Sequence, residues 1–125
     1  MNKVNGKIYK IICNETNLCY YGSTCETLLC KRIAKHRNNY KRFTQGKLSG
    51  FCNSFKILQN GNYNIVLVKQ IYCETMKELL DHERYFIENY ECVNKNIPNR
   101  SKDEYKLILK RRRDIVKYFL KLPFN

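Results

Sequence analysis

The sequence predicts a small α/β domain of the α+β kind, a short sheet with helices packed against it. Two short β-type runs, residues 7–13 and 18–21, flank the turn formers Asn14, Glu15, Thr16 and Asn17. A third run, 63–72, is the most apolar β-type stretch of the chain. Between and after these runs, apolar residues recur at helical spacing. At 125 residues the chain is long enough to bury a core without a disulfide or metal staple.

The first strand carries the β-branched Ile8, Ile11 and Ile12. Its hairpin partner brings Tyr20 within reach of Tyr9, one tyrosine per strand, and a hairpin can set such residues side by side. Gly22-Ser23-Thr24 is expected to break the second strand. Residues 27–43 read as a helix on the spacing of Leu28, Leu29 and Ile33. Arg32 and His36 stand one turn apart on the edge of that apolar stripe, with Lys31, Lys35, Arg37, Lys41 and Arg42 on the other faces. Gly46 and Gly50 bracket a loop containing Lys47, and 51–58 reads as a short helix ended by Asn60-Gly61.

The run 63–72 is expected to be the central strand, buried on both faces. Thr75 and Glu78 match a capping box that opens a helix to about residue 90. Leu79, Leu80, Phe86 and Ile87 form its core stripe, and Glu83 falls on the same side. A carboxylate on a core-facing stripe is costly unless something compensates it. Glu78, Asp81 and Glu88 read as ordinary solvated charges. After a polar loop, Ser101 and Glu104 form a second capping box for a helix running to about residue 121. That helix contains Lys110-Arg111-Arg112-Arg113, and Tyr105, Ile108, Leu109, Ile115, Val116 and Phe119 leave it able to pack.

Charge narrows the partner. The formal net charge is +13, and no Asp or Glu occurs between Glu26 and Glu74, a span with nine basic residues. Such a surface suits a polyanion, nucleic acid first. The candidate DNA contacts are Lys7, Lys31, Lys35, Arg37, Lys41, Arg42, Lys47, Arg111 and Arg112. The seven cysteines include no Cys-x-x-Cys pair, several sit in apolar runs, and the first residues lack an apolar signal segment. Reduced thiols and an intracellular setting are expected, in the cytoplasm, nucleus or virus factory of a host cell rather than outside it. No stretch approaches membrane-spanning length. A zinc site drawing on His36 and His82 does not fit the usual ligand spacing. The richness in Lys, Asn, Ile and Tyr, with the single alanine Ala34, points to an AT-rich coding genome.

A tyrosine pair, an arginine with a histidine one turn on, a core-side glutamate and a following amide together suit phosphodiester cleavage. Glu83 offers a divalent cation a hard oxygen ligand. Arg32 offers a planar fork to a phosphate that gains charge in the transition state. A perturbed tyrosine or histidine can help deprotonate a water whose pKa the metal lowers.

In these positions the chain resembles the GIY-YIG nuclease superfamily. The first signature stands as Lys7-Ile8-Tyr9 and the second as Tyr20-Tyr21-Gly22, followed by Ser23-Thr24. Lys31-Arg32-Ile33-Ala34-Lys35-His36 matches the family's helix arginine and later histidine, and Leu80 to Ile87 its metal-binding glutamate helix. Val93-Asn94-Lys95-Asn96 occupies the place of its asparagine, filled by Asn94 or by Asn96 two positions on. Lys7 replaces the first-signature glycine, although Gly6 stands one position earlier, and Tyr21 replaces the middle isoleucine of the second.

The resemblance implies a three-stranded antiparallel sheet flanked by helices, with a catalytic domain expected over 1–98; residues 99–125 fall outside the family core, and their composition suggests a basic helical extension that contacts DNA or packs. It implies one Mg²⁺ or Mn²⁺ per active site, bound by Glu83. Tyr9 would orient or activate the water as general base, Tyr20 would position phosphate or water, and Arg32 would stabilise the phosphate. His36 would assist proton transfer or bind phosphate, and Asn94 would fix the site through hydrogen bonds. The expected protein is a metal-dependent DNA endonuclease of viral or mobile-element, homing-like type, acting on double-stranded DNA as a monomer or weak dimer. The alternative is a nucleic-acid-binding module that keeps the fold without cleaving. Glu83 argues against it, because binding alone does not need that carboxylate.

Overall fold

The computed structural model describes residues 3–121. Seven elements follow in order: β1 (Val4–Cys13), β2 (Cys19–Thr24), α1 (Leu29–Thr44), α2 (Phe55–Leu58), β3 (Tyr63–Cys73), α3 (Met76–Asn89) and α4 (Lys102–Lys121). The three strands form one antiparallel sheet in the order β2-β1-β3. The fold is therefore α+β, with helices on both faces of the sheet.

β1 and β2 form the expected hairpin, and Asn17 takes a positive φ of 62° in its turn. The central strand, however, is β1. It pairs with β2 on one edge and with β3 on the other, so β3 lies at the sheet's margin. Val66, Leu67 and Tyr72 of β3 are exposed, which corrects the expectation of a strand buried on both faces. An apolar run reports affinity for a sheet; it does not report place within one, and strand order is decided by long-range pairing. The register between β1 and β3 skips Val68 opposite Ile8 and Tyr9, a local bulge. β2 also differs from expectation. It continues through Gly22, Ser23 and Thr24, with Gly22 directly opposite Tyr9.

Alternation along β1 sends its side chains to two cores. Tyr9, Ile11 and Cys13 pack with Ile33 of α1 and Phe55, Ile57 and Leu58 of α2. Ile8 packs on the other face with Ile71, Cys73 and Leu79 of α3. Gly6 lets α3 come this close, because a Cβ there would lie 2.5 Å from Leu79 Cδ1. The helix expected over 51–58 is reduced to the four residues of α2, which leaves Ser54 at its N-cap.

α3 begins with the N-cap bond of its capping box, the Glu78 amide donating to Thr75 Oγ1 at 3.3 Å, while the Glu78 carboxylate reaches back one residue further and accepts from the Glu74 amide. The second box closes reciprocally at the start of α4, where the Glu104 amide donates to Ser101 Oγ and the Ser101 amide to Glu104 Oε1. Arg84 of α3 pairs with Glu88 and Glu104, tying the first turn of α4 to the domain. Beyond that turn α4 stands largely in solvent. Ile108 is half-buried, whereas Tyr105, Leu109, Ile115 and Val116 are exposed, so the packing expected of them is not made. The Phe119 side chain lies outside the described residues. All seven cysteines are unpaired thiols, and no helix of the described residues is long and apolar enough to cross a membrane.

Candidate active site

Tyr9 stands at the middle of the central strand, on the α1 face. Its hydroxyl receives the Arg32 Nε proton at 3.0 Å and lies 2.7 Å from His36 Nε2. The one-turn spacing of Arg32 and His36 along α1 sets both over the same phenol. The other ring nitrogen of His36, Nδ1, lies 3.0 Å from Ser54 Oγ. Tyr9 and Ser54 are 0% exposed and His36 is 5% exposed, so this is a buried polar chain. Arg32 is half-buried and closes it toward solvent.

Burial dictates the charge states. It raises the Tyr9 pKa to about 12 against the opposing pull of Arg32. It lowers the His36 pKa to about 4, with the Arg32 charge pushing the same way. At neutral pH the pair is therefore a phenol and a neutral imidazole. The Tyr20 ring meets His36 edge-on at 5.7 Å, and burial raises its phenol pKa as well.

A cleft of about 280 Å³ opens beside this chain. Tyr20, Glu83, Asn94 and Asn96 line it, together with Phe51 and Asn53 from the segment before α2. Neither Tyr9 nor Arg32 lines it; Tyr9 is shut from solvent, whereas Tyr20, Arg32, Glu83 and Asn94 are partly exposed. Glu83 comes from α3, on the opposite side of the sheet. Burial raises its pKa, while hydrogen bonds from the Ser23 side chain and backbone and the nearby Arg32 charge hold it down. The continuation of β2 past Gly22 is what carries Ser23 to that carboxylate.

The two candidate asparagines stand differently: Asn94 is bonded to the backbone of β2. Its Oδ1 accepts from the Tyr21 amide at 2.9 Å and its Nδ2 donates to the Tyr21 carbonyl at 2.7 Å. The Val93 amide also donates to the Cys19 carbonyl. Asn94 thus mimics a strand on the free edge of β2 and holds one wall of the cleft. Asn96 is exposed at the cleft mouth.

The basic residues divide into groups. Lys31, Lys41, Arg42 and Lys47 stand in solvent on α1 and the loop after it. Lys35 is ion-paired with Glu26, and Lys7 Nζ donates to the Glu26 carbonyl at 3.3 Å. Arg37 turns toward β3, where it donates to Tyr63 Oη at 2.8 Å and lies over that ring. Arg111 and Arg112 are exposed on α4.

Three participants escaped the sequence reading. Ser54 is a single hydroxyl with no local signal, and Ser23, although it follows the second signature, gives no sign in the sequence of its approach to Glu83. Glu26 was visible as the last acid before the long basic span, but its pairing with Lys7 and Lys35 was not.

Among the described residues no three His, Cys, Asp or Glu side chains gather as a ready-made metal cage. One half-buried carboxylate on a cleft still fits Mg²⁺ or Mn²⁺, which keeps several waters and draws further oxygens from a phosphate. Comparison with curated proteins and with solved structures returned no match. The GIY-YIG catalytic domain family model matches residues 5–96, the span that runs from the start of the hairpin to the far wall of the cleft. By that match and by its three-stranded sheet, the chain belongs to the GIY-YIG nuclease superfamily.

Proposed function

We propose that this nuclease is a divalent-metal-dependent DNA endonuclease that hydrolyses phosphodiester bonds at the Glu83 cleft. One observation carries the reading: Glu83 is half-buried on the cleft that Tyr20 and Asn94 line, with the Arg32 guanidinium near enough to bias its charge. Structural carboxylates are normally left in water, and a compensated buried one beside a cation marks chemistry. A bound Mg²⁺ or Mn²⁺ supplies a more acidic water and counter-charge at the leaving oxygen, and Glu83 is the residue that would hold it.

The chain's own residues supply the rest. Arg32, at the solvent side of the chain, takes a non-bridging phosphate oxygen. That engagement would draw it off Tyr9, whose hydroxyl it covers in the free protein. Tyr9 then relays a proton: its oxygen takes one from the attacking water while its own passes to His36 Nε2. The water oxygen bonds to phosphorus, the bond to the leaving oxygen breaks, and that oxygen is protonated from solvent. A phenol with a pKa near 12 is a poor free base, so coupling to His36 is what makes Tyr9 useful. Tyr20 orients the phosphate or water from the cleft wall, and Asn94 holds that wall to β2.

Double-stranded DNA would run along the basic face of α1 and the Lys47 loop, with Arg111 and Arg112 of α4 as an added arm outside the catalytic unit. A viral or mobile-element setting suits the AT-rich composition, with the chain acting as a monomer or weak dimer. Supercoiled plasmid with Mg²⁺ or Mn²⁺ is the test. Nicking is expected, and Arg32→Ala should slow it by about 10²–10³-fold. Glu83→Gln should slow it at least as much without weakening DNA binding. Because burial raises the Glu83 pKa, its ionised form opposes folding at pH 7, so Glu83→Gln should unfold no earlier than wild type. Wild-type turnover by Glu83→Gln would refute the proposal.

A further inference from the structure

We propose that Ser54 is a positioning residue for this reaction: its oxygen accepts the Nδ1 proton of His36 and keeps His36 Nε2 bare to receive the proton of Tyr9. The inference rests on the endonuclease reading of the same site and concerns a fully buried residue behind Tyr9 and His36, whose partner Cys52 lines the cleft while Ser54 itself does not.

The direction of the chain follows from what each group can donate. The Arg32 guanidinium only donates, and it gives its Nε proton to Tyr9 Oη. Tyr9 is wholly buried and keeps its own proton, which needs an acceptor. His36 Nε2, 2.7 Å away, is that acceptor. An accepting Nε2 on a neutral ring leaves the ring proton on Nδ1, 3.0 Å from Ser54 Oγ. Ser54 then turns its own proton to Cys52 Sγ at 3.2 Å. Every buried side-chain nitrogen and oxygen of the described residues has a partner.

Ser54 also forgoes its ordinary use. It stands at the N-cap of α2, where a serine side chain normally accepts from the helix's free amides. Here it makes no such bond, and its hydroxyl is given to His36 instead. Phe55, Ile57 and Leu58, buried beside Ile33 of α1, hold that hydroxyl in place.

The assignment matters because the opposite tautomer stalls the relay. With the proton on Nε2, His36 would point a donor at a Tyr9 oxygen that already receives Arg32, and the Tyr9 proton would have nowhere to go. With the proton on Nδ1, the imidazolium formed as Tyr9 hands over its proton keeps Ser54 as an acceptor. The second-sphere logic is that of a histidine ligand whose far nitrogen is fixed by a hydrogen bond.

The tautomer of His36 can be read by nitrogen-15 NMR of the imidazole in the full chain at pH 7, alongside single-turnover plasmid cleavage. The wild type should show the proton on Nδ1. Ser54→Ala should move it toward Nε2 and slow cleavage by about 10- to 100-fold. DNA affinity should stay within about twofold, because Ser54 touches no surface. Ser54→Thr, which keeps the hydroxyl, should recover both the tautomer and most of the rate; Ser54→Cys, a weaker acceptor, should recover less. A Ser54→Ala protein that keeps the Nδ1 proton, or cleaves at the wild-type rate, overturns the proposal. The tautomer arm needs no cleavage, so a wild type that cuts no DNA would refute the endonuclease reading on its own while the His36 proton is still assigned.

Discussion

Replacing Gly22 by alanine should displace the Tyr9 phenol. A Cβ at Gly22 would sit 2.4 Å from Tyr9 Oη and 2.5 Å from Cζ, where ordinary contact begins at 3.4 Å. The ring or strand must therefore yield by about 1 Å. Tyr9 has no slack, since it is fully buried and its hydroxyl is held by Arg32 and His36. Overpacking of this kind costs about 1–3 kcal/mol. For a domain of this size that is a fall in Tm of about 4 °C per kcal/mol. A 1 Å misplacement at the chemistry can cost about 10²-fold in rate. Thermal melts and single-turnover plasmid cleavage measure the two effects separately. The same pair in a Tyr9→Phe background gives the control. Gly22→Ala should add little further loss of rate there, because the hydroxyl it displaces is already gone, yet some loss of stability should remain from the Cζ contact. A Gly22→Ala protein with wild-type Tm and rate would refute the reasoning, as would fully additive rate losses.

Two further predictions concern parts of the chain outside that contact. Burial lowers the His36 pKa from 6.5 to about 4, so the stability due to its neutral form is present above pH 6.5 and is lost as pH falls toward 4. The full loss is about 3 kcal/mol, and urea midpoints between pH 7 and 4 should fall more steeply for wild type than for His36→Gln; parallel slopes would count against a buried neutral imidazole. Truncation after Arg100 should weaken DNA binding and flatten its salt dependence while moving Tm little, because α4 beyond the Arg84–Glu104 pair is largely exposed, with Ile108 half-buried. An unchanged salt slope would assign α4 to some other task.

Local patterning was legible in the sequence; tertiary order was not. The hairpin, both capping boxes and the shared edge of Arg32 and His36 follow from spacing within one element, and the structure has them. Glu83 stood out because a carboxylate interrupted an apolar stripe, which is a conflict visible without a fold. The exposed margin at β3 was not legible, since its apolar run suits an edge or a centre equally well. Nor was the continuation of β2 through Gly22, where a glycine that reads as a strand breaker is instead a space for the opposing phenol. Ser54 had no signal at all, because its meaning lies in a nitrogen eighteen residues away in the chain.

The two departures from the family signature now have physical explanations. Tyr21, in the isoleucine's place, points to the α3 face, where its ring stacks on Phe86 at 5.8 Å and its backbone holds Asn94. It keeps the apolar contact that an isoleucine would make and leaves the Tyr9 face untouched. Lys7 stands where a glycine is usual, but the close approach that needs a missing Cβ occurs at Gly6, against Leu79. Lys7 is thereby free to carry a side chain, and it reaches the Glu26 carbonyl beside the Glu26–Lys35 pair. Neither change touches Tyr9, Arg32 or His36. Packing in this hairpin demands a glycine opposite Tyr9, where a Cβ would meet the phenol, and a glycine under α3, where a Cβ would meet Leu79; the two phenols then share the α1 face, and the letters at Lys7 and Tyr21 can change without disturbing them.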